Sequence, residues 1–185
     1  AKELLLYSYD NVEAHLLAGE VFSRSKRYLL WLRSLKQVHA LSPQLAESID
    51  QRVRFLHAME TAEVHETIRK VVDLERSWLG PSAKAVLEAT ESKELSSAFV
   101  LAKGRGLIDS SAKAAALKTL SAFDVSKDPT ATIPLATRVL DYLEQEATEE
   151  DAKAFKARCA VKFNRSPRFM TADDVTTFHT ANAFQ

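Results

Sequence analysis

Between Ile68 and Phe123 the sequence reads IRKVVDLERSWLGPSAKAVLEATESKELSSAFVLAKGRGLIDSSAKAAALKTLSAF. Short helix-type patterns alternate there with compact breaks, and the second break looks like a rewritten copy of the first. A recurring helix pair restricts the fold more than any other feature of this chain. One such unit cannot bury its apolar face alone, so it has to stack on neighbours. Stacked helix pairs present an extended surface, which suits binding better than catalysis.

Breaks are easy to read because only four glycines and five prolines occur in 185 residues. Two helical segments are expected before Ser42, Ala1 to about Leu17 and about Val21 to Ala40. Ser42 followed by Pro43 reads as a cap with proline at the first helical position. Thr61 is expected to open a helix whose Val64, Ile68, Val71, Val72 and Trp78 line one face, closed by Gly80-Pro81. Ser82 starts a short helix to about Ala89. Ser92 starts another through Phe99, Val100 and Leu101, stopped at Gly104. Ser110 caps an Ala-rich helix to about Phe123. Asp128-Pro129 and Thr132 lead into Ile133, Ala136, Val139, Leu140 and Leu143, again one face. Thr148 with Asp151, and Thr171 with Asp174, are acidic forms of the capping box. These signals predict about nine helices of roughly 8 to 19 residues and no strand, since neither sustained alternation nor an Asn-Gly or Asp-Gly hairpin turn is present. The expected fold is all-α: stacked antiparallel helix pairs over residues 1–163, then a polar, Thr-rich extension over 164–185.

Lys and Arg number 25, as do Asp and Glu, so the net charge is zero. A dedicated nucleic-acid binder ordinarily carries a basic excess, because phosphate neutralisation drives its affinity. The one cysteine, Cys159, excludes an internal disulfide and a cysteine-built zinc site. No apolar run approaches the roughly 20 residues of a membrane-spanning helix, so membrane insertion is not expected. The chain begins at Ala1, which fits either a shortened sequence or a mature protein freed of a targeting peptide.

The breaks at Leu79-Gly80-Pro81-Ser82 and Gly106-Leu107-Ile108-Asp109-Ser110 carry a resemblance. Each follows an amphipathic helix and leads into an Ala/Leu-rich one. Ser97-Ala98-Phe99-Val100-Leu101, then Arg105-Gly106-Leu107-Ile108-Asp109, resembles the second helix and closing turn of a pentatricopeptide repeat, a helix-turn-helix unit of about 35 residues. Ala136-Thr137-Arg138-Val139-Leu140-Asp141-Tyr142-Leu143 resembles that second helix again, and Pro81-Ser82 stands where the family has Pro-Asp. The spacings depart from the family period: 27 residues from Pro81 to Ile108 and 38 from Ala98 to Ala136. The array implied is degenerate and covers roughly residues 64 to 147.

In that family a polar side chain early in the first helix reads an RNA base. The equivalent positions here are Leu87 and Ala114, neither of which can hydrogen-bond a base edge. Two basic clusters are the remaining candidates for binding. Arg24, Lys26, Arg27, Arg33 and Lys36 are expected on one helix with Phe22, Tyr28 and Trp31, a mixture that suits a nucleic acid, an anionic membrane surface or an acidic protein. The bland alternative is a solvated face with Tyr28 and Trp31 in the core. Lys153, Lys156, Arg158, Lys162, Arg165 and Arg168 follow the acidic run Glu144, Glu146, Glu149, Glu150 and Asp151, so much of that charge is expected to pair locally.

No catalytic constellation is found. His15, His39, His57, His65 and His179 are scattered, and His65-Glu66 lacks the second histidine of a helical zinc motif. The Gly104-Arg105-Gly106 stretch is too short for a phosphate loop and has no Lys-Ser/Thr after it. Cys159 sits in a helical pattern and reads as a buried thiol. No enzyme activity, cofactor or metal is therefore expected.

Size, all-helical organisation and repeat type together resemble the helical-repeat subunits that euglenozoan mitochondria add to the F1 sector of ATP synthase. That resemblance implies a non-catalytic structural role in the mitochondrial matrix and the ATP synthase alpha subunit as partner. The residues it would use are sought in the basic–aromatic helix (Arg24, Arg27, Tyr28, Trp31) and in the C-terminal segment (Phe163, Arg165, Arg168, Phe169, Phe178). An organellar RNA or the mitoribosome is the alternative partner, with the basic helices on phosphates.

Overall fold

Ten α-helices and one 3-10 turn make up the regular structure among the described residues, with no strand. The computed structural model describes residues 8–170. The helices are α1 (Val12–Arg24), α2 (Tyr28–Leu41), α3 (Ala46–Thr61), α4 (Glu66–Leu74), α5 (Arg76–Leu79), α6 (Ala83–Glu88), α7 (Leu95–Ile108), α8 (Lys113–Ser121), α9 (Ile133–Glu146) and α10 (Glu149–Lys162), with the 3-10 turn at Val125–Lys127 between α8 and α9. The all-α expectation holds.

Local capping chemistry explains most starts. Ser82, Thr132 and Thr148 each have extended backbone and accept the N–H of the third residue on, from Ala85, Leu135 and Asp151. Glu149, Glu150 and Asp151 add negative charge to the first turn of α10, where the helix dipole favours it. Gly80 ends α5 with φ 98°, a conformation open to glycine at little cost.

Elsewhere the boundaries differ from the sequence expectation. The first break falls at Ser25-Lys26-Arg27 rather than at Ala18-Gly19-Glu20. Gly19 is buried inside α1 because Gln51 of α3 packs against it; a Cβ there would lie 2.3 Å from Gln51 Oε1. Thr61 closes α3, its hydroxyl donating to the His57 carbonyl, and His65 caps the next helix by accepting from the Thr67 N–H. Helix α7 runs through Gly104, which is buried against Leu87 of α6. Ser110 does not cap α8, which starts at Lys113 without a side-chain cap. Ser42-Pro43 forms a turn before α3, whose capping position is Leu45. The Thr171/Asp174 box lies outside the described residues.

The described chain groups into two units. The first takes residues up to Glu91 and adds Lys103–Ser110; the second takes Ser92–Ala102 and the residues from Ser111. In the first unit α1, α2 and α3 pack on one another, α6 packs on α3, and α4 packs on α2. Leu35, Val38, Phe55 and Leu56 are fully buried there, with Trp31 edge-on to Phe55. In the second unit α8, α9, α10 and the 3-10 turn surround Leu95, Leu120, Val125, Leu140, Leu143, Phe155 and Phe169, all at or near zero exposure. Each side chain of that size contributes about 1.5–3 kcal/mol when taken from water.

Candidate interaction surfaces

In the first unit the basic residues gather at the turn between α1 and α2. Arg24 ends α1 and pairs with Glu20 at 3.3 Å, its side chain 79% exposed. Lys26 holds a left-handed conformation, φ 54°, which throws the chain back toward α2. Arg27 occupies the capping position of α2 without a side-chain cap. Lys26, Arg27 and Arg33 are exposed and make no ion pair among the described residues. Tyr28 is half-buried, whereas Trp31 is 3% exposed and belongs to the core. The expected single basic–aromatic helix is thus two helix ends and a turn, and Trp31 is not available to a partner.

Further along α2, Lys36 donates to Glu75 at 2.6 Å, and Glu75 also accepts from the Trp78 indole. The His39 ring stacks on Trp78 with centroids 5.2 Å apart. Burial and the nearby Arg52 charge hold His39 below its ordinary pKa of 6.5. Arg52 gives both Nε and Nη2 to the Leu79 carbonyl, closing the end of α5. Arg54 joins Glu20 and Asp50, and Asp50 also meets Lys103 at 3.2 Å. Burial works to raise the Glu20 pKa, but the Arg54 and Arg24 guanidiniums carry it below the ordinary value.

The second basic cluster is largely spent inside its own unit. Lys153 pairs with Glu149 one turn back on α10. Arg158 donates to the Ser121 carbonyl at 2.6 Å, and Lys162 donates to the Asp128 carbonyl. Arg168 bonds both Asp141 and Glu144, at 2.6 and 2.7 Å, which raises its pKa further. Phe169 is 1% exposed, packed near the half-buried Phe163 with ring centroids 5.7 Å apart. Of the C-terminal candidates, Arg165 is open to solvent, Phe169 is core, and Phe178 lies outside the described residues.

Leu87, one of the two positions where a base reader would stand, is 4% exposed and packs on Gly104; Ala114 is exposed. Burial pushes the Cys159 thiol up to about 12, so it is protonated at neutral pH. Among the described residues no group of three or more His, Cys, Asp or Glu could hold a metal ion, and no helix is long and apolar enough to cross a membrane. Sequence reasoning passed over the exposed aliphatic side chains, of which Leu17, Val21, Leu74 and Val161 are the most open among the described residues. Their one signal was position, opposite the buried face of each helix. No protein-family model matches this sequence, and no curated protein matches it.

Proposed function

We propose that this chain is a non-catalytic structural subunit of the mitochondrial ATP synthase F1 sector, holding the alpha subunit through its helical surface. The pentatricopeptide-like pattern of its breaks and the overall resemblance described above motivate the reading. The observation that supports it best is Leu87: the side chain at a base-reading position is committed to packing against Gly104. A helix pair whose reading position faces its own neighbour is suited to present shape to a protein. The contacts on offer are the exposed Arg24, Lys26, Arg27 and Arg33 with the half-buried Tyr28 in the first unit, and the exposed Arg165 in the second. Purification from the native organelle through high salt and nuclease, followed by mass spectrometry, tests this. Recovery of stoichiometric alpha subunit is expected; recovery without any F1 subunit overturns the proposal.

A second reading, an organellar RNA-binding or mitoribosome-associated protein, draws on Lys26, Arg27 and Arg33, whose charges no carboxylate neutralises among the described residues. Loss of the co-purifying material on nuclease treatment would favour it.

A further inference from the structure

Helix α1 buries Ala14, His15, Ala18, Gly19 and Phe22 on one side. On the other it shows solvent a stripe of Glu13, Leu17, Val21 and Arg24, spaced by four, four and three residues and so aligned on one face. Leu17 is 58% and Val21 53% exposed, one turn apart. Branched apolar side chains held this far into water gain free energy from any surface that covers them. The charges at the two ends of the stripe are opposite. Asp10 and Glu13 stand at its start; Arg24, Lys26 and Arg27 stand at its end. Asp10, Glu13, Lys26 and Arg27 have no ion pair among the described residues, and Arg24 has the exposed one with Glu20.

We propose that this stripe is a contact between two copies of the chain, packed antiparallel about a twofold axis passing between Leu17 and Val21. A twofold contact must be self-complementary, residue i meeting j while j meets i. The stripe meets that condition. Leu17 of each copy faces Val21 of the other, and Glu13 of each faces Arg24 of the other to within one residue. A parallel pairing would put Glu13 on Glu13 and Arg24 on Arg24, so charge selects the antiparallel form. A uniformly acidic partner or an anionic membrane satisfies only the Arg24 end and is repelled at the Glu13 end. Helix α1 has 13 residues, a length of about 20 Å. One helix of that length makes an interface at the small end of the specific range, so the dimer is weak and sensitive to salt. Arg24 and Arg27 are also among the residues offered to a protein partner above. The second copy and that partner therefore compete for this end of the hairpin, although the dimer does not depend on that reading.

Sedimentation equilibrium on the full chain at low salt, from about 10 μM to about 1 mM, tests the proposal. Reversible monomer–dimer exchange is expected for the native sequence. Leu17→Glu should leave only monomer, with helix content by circular dichroism unchanged because the position is exposed. Glu13→Arg and Arg24→Glu should each raise the dimer Kd by roughly tenfold or more, since like charges then face each other. The double variant E13R/R24E should restore dimerisation, as should mixing the two single variants. A native chain that stays monomeric to about 1 mM overturns the proposal. So does a dimer indifferent to Leu17→Glu, or one that the double variant weakens as much as the singles.

Discussion

Asp128 sits 4% exposed in the second unit and joins two segments through its carboxylate. Oδ2 accepts the N–H of Leu95, the first residue of α7, at 2.7 Å, while Oδ1 accepts the Thr130 N–H and hydroxyl. This is an N-terminal cap supplied from 33 residues away. Local caps such as Ser82, Thr132 and Thr148 were legible in the sequence because donor and acceptor are three residues apart. The Asp128 cap was not, since nothing in the order of residues brings it to Leu95. Asp128→Ala leaves a buried N–H without its acceptor and should cost about 1–3 kcal/mol in urea unfolding. Burial opposes ionisation of Asp128, but the N–H and hydroxyl donors outweigh it and hold the pKa below 3.8. The carboxylate therefore contributes stability at all pH above the unfolded value, lost as pH falls through the lower folded value. His39 acts earlier in an acid titration. Its folded pKa lies below 6.5, so the fold favours the neutral ring, and its contribution declines as pH drops below that value. His39→Gln should flatten the stability profile just below pH 6.5, measured by Tm across pH, and leave the Asp128 step in place.

At the scale of the element, the glycines separate what sequence periodicity conveys from what packing decides. Gly80 was read as a stop and is one, since its φ of 98° requires it. Gly104 was read as a stop and Gly19 fell in the expected gap between two helices, yet both are helix interior, because each lets a neighbouring side chain approach the backbone. Low helix propensity is a cost of about 1 kcal/mol against alanine, and tertiary contact overrides it. Gly19→Ala makes the difference measurable. The new Cβ displaces Gln51, whose Nε2 donates to the Leu16 carbonyl at 2.8 Å, inside a region where Gln51 is 5% exposed. Despite the gain in propensity, a net loss of about 1–2 kcal/mol is expected by chemical denaturation. The segment after α10 divides in the same way. Its polarity suggested an extension, yet Phe169 reaches the core while Arg168 grips Asp141 and Glu144 at the surface. Truncating a buried phenylalanine costs about 3–5 kcal/mol, whereas an exposed ion pair contributes about 0–1 kcal/mol. Phe169→Ala should therefore lower Tm far more than Arg168→Ala, and limited proteolysis should detect the loosened segment only in the former.

For the whole molecule, a formal net charge of zero conceals an uneven distribution. Lys153 and Arg168 meet carboxylates, and Arg158 and Lys162 meet backbone carbonyls, whereas Lys26 and Arg27 at the α1–α2 turn and Arg33 within α2 have no ion pair among the described residues. The acidic run ahead of the second cluster announced in the sequence that much of its charge would be paired, but not which pairs form, because Arg168 reaches Asp141 and Glu144 across 27 and 24 residues. The consequence for binding is quantitative. If RNA occupies this turn, three cations can release about three counterions, so log K should fall with log salt at a slope no steeper than about −2 on a single strand. Dedicated binders with six or more phosphate contacts fall far more steeply. Affinity for a protein surface that buries Tyr28 along with these charges should instead retain most of its strength in salt, since apolar burial is not screened. Titrating labelled single-stranded RNA and, separately, isolated F1 sector against the chain between 50 and 300 mM salt (roughly a sixfold range) distinguishes the two. Charge reversal at Lys26, Arg27 and Arg33 should abolish the RNA slope. Its effect on F1 binding should be smaller than that of Tyr28→Ala combined with the same reversals, because the ring supplies the term that salt cannot weaken.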